Sequence, residues 1–309
     1  TEPGAYLMGG EGADTLYGYD YSTMLNYEPD SPLFFIAHQR LAMASRGHVF
    51  ASYRDADAAV TVDLSGAVAK TGDAAGDVLS WILNLEGSSR GDRLLGNQWG
   101  NILEGAAGND SLFGAAGNDI LVGGTGADTL DGGDGQDIAD YSGAVLAARV
   151  DLRGSGYNGW WGNSGAAEGD VITRIEHLNG SDHADAFVGD DGSNRLTGGA
   201  GNDSLHGWNG NDYLFGGTGA DFLNGNAGAD TLEGGGGSDI YVVDSSGDRV
   251  IEAEGMGDDT VRAHVDHTLA AHVEALHLQG TSDLDGTGNA LRNEIKGNEG
   301  ANILDGREG

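Results

Sequence analysis

Apolar residues recur in this chain one at a time, nine positions apart, each flanked by polar or small neighbours. Leu94, Leu103, Leu112, Leu121 and Leu130 form one such series; Phe187, Leu196, Leu205, Leu214, Leu223, Leu232 and Tyr241 form another. A segment such as Asp128-Thr129-Leu130-Asp131 predicts a short strand with one inward side chain. Between these strands stand glycines at fixed places, where positive φ allows a tight turn. The pattern therefore predicts turn plus strand, repeated, with two repeats closing one 18-residue coil. Stacked coils place neighbouring strands about 4.8 Å apart.

The nonapeptides are contiguous. From Gly105 the sequence reads GAAGNDSLF, GAAGNDILV, GGTGADTLD and GGDGQDIAD, preceded by the degenerate GSSRGDRLL and GNQWGNILE from Gly87. A second array from Gly180 reads GSDHADAFV, GDDGSNRLT, GGAGNDSLH, GWNGNDYLF, GGTGADFLN, GNAGADTLE and GGGGSDIYV. One nonapeptide, GGEGADTLY, begins at Gly9, and a degenerate run begins at Gly288. The arrays belong to a larger duplication with an offset of 93, which brings Gly87 onto Gly180 and Asp110 onto Asp203, and matches the spacers before them. This predicts four regions: 1–52, a single repeat plus an irregular insertion or cap; 53–140, spacer plus first array (87–140); 141–242, spacer plus second array (180–242); and 243–309, spacer plus a degenerate third array. The final residues stop partway through a repeat, which points to a fragment or a trimmed product. The expected fold is all-β: right-handed parallel β-roll modules separated by strand-rich spacers.

Composition sharpens the chemistry. Of 309 residues 57 are Gly, and 49 Asp+Glu stand against 15 Lys+Arg, a formal net charge of −34. Such a chain lacks the basic face that nucleic acid or anionic lipid requires, and attracts divalent cations instead. It has no cysteine, so disulfides and thiolate metal sites are excluded. No apolar run is long enough to span a membrane.

The acids are placed, not scattered. Asp stands sixth in most nonapeptides, so coiling sorts the sixth places into ladders: Asp92, Asp110, Asp128 and Asn101, Asp119, Asp137 in the first array; Asp185, Asp203, Asp221, Asp239 and Asn194, Asp212, Asp230 in the second. Carboxylates stacked about 5 Å apart repel by roughly 3 kcal/mol per pair at an effective dielectric near 20. A hard dication between coils reverses that sign. Calcium fits, because it accepts six to eight carboxylate and carbonyl oxygens in tolerant geometry, whereas magnesium demands a strict octahedron.

The pattern GGxGxDxLx resembles the nonapeptide of the RTX (repeats-in-toxin) proteins. That resemblance implies a parallel β-roll, calcium-induced folding, and type I secretion to the exterior or cell surface of a Gram-negative bacterium. It implies multiple Ca2+ ions, with Asp14, Asp92, Asp110, Asp119, Asp128, Asp137, Asp185, Asp203, Asp212, Asp221, Asp230 and Asp239 as side-chain ligands and turn carbonyls completing each shell. The best sites are expected between Asp110 and Asp128, Asp119 and Asp137, Asp203 and Asp221, Asp212 and Asp230, and Asp221 and Asp239. Asn101, Asn194, Asn293 and Asn302 keep an oxygen but lose the charge, which predicts weak sites. Ala106, Ala115 and Trp208 replace the second glycine; these should be tolerated if the turn needs positive φ elsewhere.

Other features carry less. Gly87-Ser88-Ser89-Arg90-Gly91 matches GxSxG, but it lies in a repeat slot without the strand, helix and partners of a hydrolase elbow. There is no HExxH, hence no such zinc protease site. His264, His267, His272 and His277 are of a type that holds a transition metal, but are read as surface histidines. Residues 19–50 hold a short predicted helix, 36–45, and serve either as a partner-binding insertion or as a cap. Tyr157, Trp160 and Trp161, in a Gly/Asn-rich loop, are candidate contacts for sugar or a neighbouring subunit. The expected role is non-enzymatic: a calcium-rigidified segment of a secreted adhesin, surface-layer protein or extracellular fibre, with self-assembly or a cell-surface polysaccharide as partner. The alternatives are the calcium-binding tail of a secreted enzyme (lipase, mannuronan epimerase), a toxin fragment, or a carbohydrate-binding module.

Overall fold

A computed structural model describes the backbone of residues 5–8, 15–17, 49–154 and 163–308, with side chains from Phe50 onward in the last two ranges. Asp14, the 19–48 part of the insertion with its predicted helix, and Tyr157, Trp160 and Trp161 lie outside the described residues. The described residues are strands and turns, with one 3-10 turn at Gly72–Ala74 and no α-helix. No helix among them is long and apolar enough to cross a membrane. Chain contacts define two units, Thr1–Ala139 with Asp170–Arg174, and Asp140–Gly169 with Ile175–Gly309.

In the first unit, parallel strands stack in two rows. One row runs through Val49–Ser52, Asn84–Glu86, Ile102–Glu104, Ile120–Val122 and the start of Ile138–Asp140. The other runs through Thr61–Asp63, Arg93–Leu95, Ser111–Ala116, Thr129–Asp134 and Val171–Thr173. Within the array, partners are 18 residues apart, as one coil of two nonapeptides requires: Leu94 faces Leu112, which faces Leu130, and Leu103 faces Leu121. These leucines are fully buried, each contributing roughly 1.5–3 kcal/mol of hydrophobic stabilisation. Spacers leave the stack between coils and rejoin it in register, so Thr129 pairs with Val171 rather than with a residue 18 positions on.

The second unit repeats the plan. One row comprises His177–Asn179, Arg195–Ala200, Tyr213–Thr218, Thr231–Gly236 and Arg249–Ile251. The other comprises Ala148–Asp151, Ala186–Val188, Ser204–Asn209, Phe222–Ala227, Ile240–Val243, Thr260–Ala263, Ala275–Leu278 and Glu294–Lys296. Its inward column, Val150, Phe187, Leu205, Leu223, Tyr241, Val261 and Leu276, is buried throughout. Antiparallel pairing among the described residues is confined to Ala148–Arg149 with Ser164–Gly165 in this unit and an isolated Thr61–Thr71 bridge in the first. Both units are thus parallel β-solenoids built from nonapeptide coils.

The turn corrects one expectation. Positive φ falls at the fourth place, as at Gly108 and Gly126, and in most interior turns at the second place too, including where glycine is absent: Ala106 (78°), Ala115 (85°) and Trp208 (84°) all adopt it. The left-handed backbone costs a non-glycine residue roughly 1–2 kcal/mol, so these substitutions are strained. At the fourth place the constraint is proximity as well: a Cβ on Gly126 would overlap the Gly108 carbonyl of the preceding coil.

Candidate metal centres

The sixth-place side chains form hydrogen-bonded ladders. In the first unit Oδ1 of Asp110 accepts the N–H of Asp92 (2.7 Å), Asp128 that of Asp110 (2.8 Å), and Asp170 that of Asp128 (2.8 Å). On the other edge Asp119 accepts from Asn101 (2.7 Å) and Asp137 from Asp119 (2.8 Å). In the second unit the series is Asp185, Asp203, Asp221, Asp239, Asp259, with bonds of 2.7 to 2.8 Å. Its companion is Asn194, Asp212, Asp230, Asp248, with bonds of 2.8 to 3.1 Å. Each coil thereby positions the carboxylate of the next.

The second oxygen of each carboxylate is the informative one. Oδ2 of Asp110, Asp119, Asp128, Asp203, Asp212, Asp221, Asp230 and Asp239 is buried without a hydrogen-bond partner. A buried acceptor left unpaired costs about 1–3 kcal/mol, and more when charged. These oxygens converge on the first-place glycines. A Cβ on Gly105 would come closer than 3.0 Å to both Asp110 Oδ2 and the Gly123 carbonyl of the next coil. Gly114, Gly198, Gly207 and Gly216 show the same pair of oxygens. Each of these five turns is an oxygen-lined cradle that a methyl group would fill.

Burial pushes these carboxyls up, to about 7 for Asp110, Asp203 and Asp212 and to about 6 for Asp119, Asp221, Asp230 and Asp239. The bond from the preceding coil's N–H opposes that rise, and for most of them a neighbouring carboxylate adds to it. An all-oxygen set of carboxylates and carbonyls suits a hard cation such as calcium and not a soft one.

The ladder starts differ. Both oxygens of Asp92 are engaged, Oδ1 by the Val60 N–H (2.7 Å) and Oδ2 by the Ser88 N–H (2.5 Å). Asp185 is held likewise by Ala148 and Ser181. The asparagines supply their own donor where the aspartates have none: Nδ2 of Asn101, Asn194, Asn293 and Asn302 donates to the carbonyls of Leu83, Glu176, Val273 and Leu284 at 2.7 to 3.0 Å. Asp170, Asp248 and Asp259 continue the ladders from within spacers and were not expected. Asp248 follows Asp230 by 18 residues, so the coil period alone would have found it. His264, His267, His272 and His277 do not converge; among the described residues the one group of ligand-type side chains within mutual reach is Asp239, Glu252 and Asp259.

Stacked nonapeptide coils with carboxylate–carbonyl cradles define a calcium-binding β-roll repeat protein. The family model of the RTX calcium-binding nonapeptide repeat matches residues 6–20, 86–121, 113–142, 179–214, 188–223, 209–241 and 287–309, together just over half of the chain. The chain belongs to this RTX repeat family. No individual curated protein matches it.

Proposed function

We propose that the chain binds several calcium ions between successive coils, at the turns lined by the ladder aspartates; beside Gly105, Gly114, Gly198, Gly207 and Gly216 an aspartate Oδ2 meets a next-coil carbonyl. The ligand set is Asp110, Asp119, Asp128, Asp137, Asp203, Asp212, Asp221, Asp230 and Asp239. Asp92, Asp185 and the four asparagines stand outside it, because internal hydrogen bonds already satisfy them. The row of buried, partnerless Oδ2 atoms carries this reading. Without cations the ladders place like charges in series; with them the coils are cross-linked, so binding and folding are one process.

The role we infer is structural. The chain is a calcium-stiffened segment of a secreted, extracellular or cell-surface protein of adhesin, surface-layer or fibre type, its four sequence regions alternating spacer and roll. Oxygen cradles of this kind order backbone rather than activate a substrate, which supports a non-enzymatic segment.

Small-angle scattering with circular dichroism during a calcium titration of chelated protein, with magnesium as control, tests the proposal. Compaction and gain of strand signal with calcium alone are expected. A compact chain that responds to neither calcium nor chelator would overturn it.

A further inference from the structure

The second array ends on a group of carboxylates that the nonapeptide does not encode. Asp239 is its last sixth-place aspartate. Glu233 pairs with Ile251, so the residue in register with first-place Gly234 is Glu252. Beside Gly198, Gly207 and Gly216 the first-place glycine of the next coil contributes a carbonyl, as Gly234 does beside Gly216. Beside Gly234 the nearest oxygens are Asp239 Oδ2 and the Tyr241 hydroxyl. Tyr241 occupies the eighth place, where most nonapeptides carry leucine, and is fully buried. Its hydroxyl accepts the Gly234 N–H (2.8 Å) and donates to Glu252. The tyrosine therefore holds the Glu252 carboxylate against Asp239.

Carboxylate oxygens of Asp239, Glu252 and Asp259 all lie within 4.8 Å of one another. Asp259 is fixed from both sides: its Oδ1 accepts the Asp239 N–H, and its own N–H donates to Glu274, both at 2.8 Å. Asp239 is 1% exposed, and its Oδ2, aimed into the group, has no hydrogen-bond partner. The charged groups acting most strongly on Glu252 and Asp259 are other carboxylates. The first array closes in another way. There the Arg174 carbonyl faces Gly132, and the Arg174 guanidinium bonds both oxygens of Asp131 (2.7 and 2.6 Å), so the protein supplies the positive charge itself.

We propose that Asp239, Glu252 and Asp259, positioned by Tyr241, form a further calcium site that closes the second array, with the Glu252 carboxylate added to the ladder pair. Oxygens at this mutual spacing suit an ion with bonds of about 2.4 Å, the calcium range, better than magnesium with about 2.0 Å. The inference rests on the calcium-binding reading above, and Glu252 is the ligand that it adds to the ladder aspartates.

Equilibrium dialysis with radioactive calcium tests it, comparing the full chain with Glu252→Gln and with Asp119→Asn as a ladder reference. Glutamine keeps the acceptor for the Tyr241 hydroxyl, so a purely hydrogen-bonded cluster would leave the calcium count unchanged. Loss of one calcium per chain in Glu252→Gln, with the calcium-induced strand signal retained, is the expected result; an unchanged count overturns the site. Should Glu252→Gln fail to fold, terbium-soaked crystals of the unaltered chain decide. An anomalous peak among the three carboxylates supports the site, and its absence there overturns it.

Discussion

Asn101 and Asp119 begin the same edge of the first roll, yet one is satisfied and the other is not. The Asn101 amide donates to the Leu83 carbonyl at 2.7 Å, whereas Asp119 Oδ2 has no partner. Asn101→Asp would set two acceptors against each other, costing about 1–3 kcal/mol without metal. The variant should show a lower urea midpoint in chelator and bind one additional calcium; an unchanged count would mean that the amide is not what keeps a cation out. The second place makes a different residue-scale case. Ala106 and Ala115 hold φ of 78° and 85°, so Ala106→Gly and Ala115→Gly should each stabilise the calcium-loaded roll by about 0.5–1 kcal/mol, read as a rise in melting temperature. Trp208 is left out of that test, because Arg153 lies 4.2 Å over its ring and removing the ring would remove that contact too. Sixth-place aspartates were legible in the sequence because their spacing equals the coil period. The strain at Ala106 was not, because a residue type does not report its φ. Neither was the engagement of Asp92 and Asp185, which depends on serines at Ser88 and Ser181 that read as ordinary turn residues.

The nine-residue step of single apolar residues translated directly into strands with one inward side chain. Leu214 shows why so weak a pattern suffices: it packs between Leu196 and Leu232 one coil to either side, and each leucine covers the next. Leu214→Ala removes a fully buried side chain and should cost about 2–5 kcal/mol, measured by urea unfolding at saturating calcium. A cost below 1 kcal/mol would show that the column of leucines is not a continuous core. Spacers were harder to read. Their strand content was expected, but the return of Val171–Thr173 to pair with Thr129 was not. Pairing after an excursion depends on which strand edge is free, and local sequence does not carry that. Asp170 is the consequence: it extends the first ladder although 42 residues separate it from Asp128.

At the scale of the whole molecule the dominant quantity is charge, −34 at neutral pH. Its buried part gives the metal-free chain a definite response to acid. Seven of the ladder carboxyls, those of Asp110, Asp119, Asp203, Asp212, Asp221, Asp230 and Asp239, are raised by burial from an ordinary 3.8 to about 6 or 7. The folded chain therefore binds more protons than the unfolded one between those limits, and stability falls as pH rises through them. This contribution is fully present below about pH 4 and is lost as pH passes through 6 to 7. Metal-free protein should gain strand signal on acidification, with molar mass followed by light scattering to separate folding from aggregation. In the proposed binding mode calcium occupies the place the protons vacate, so calcium-loaded protein should keep its strand signal through pH 6 to 8. Calcium uptake in that window should also release protons, measurable by calorimetry in buffers of different ionisation enthalpy. If strand content of the metal-free monomer instead rises with pH, the ladder carboxyls are not the groups that oppose folding. The link between their burial and the need for calcium would then be broken.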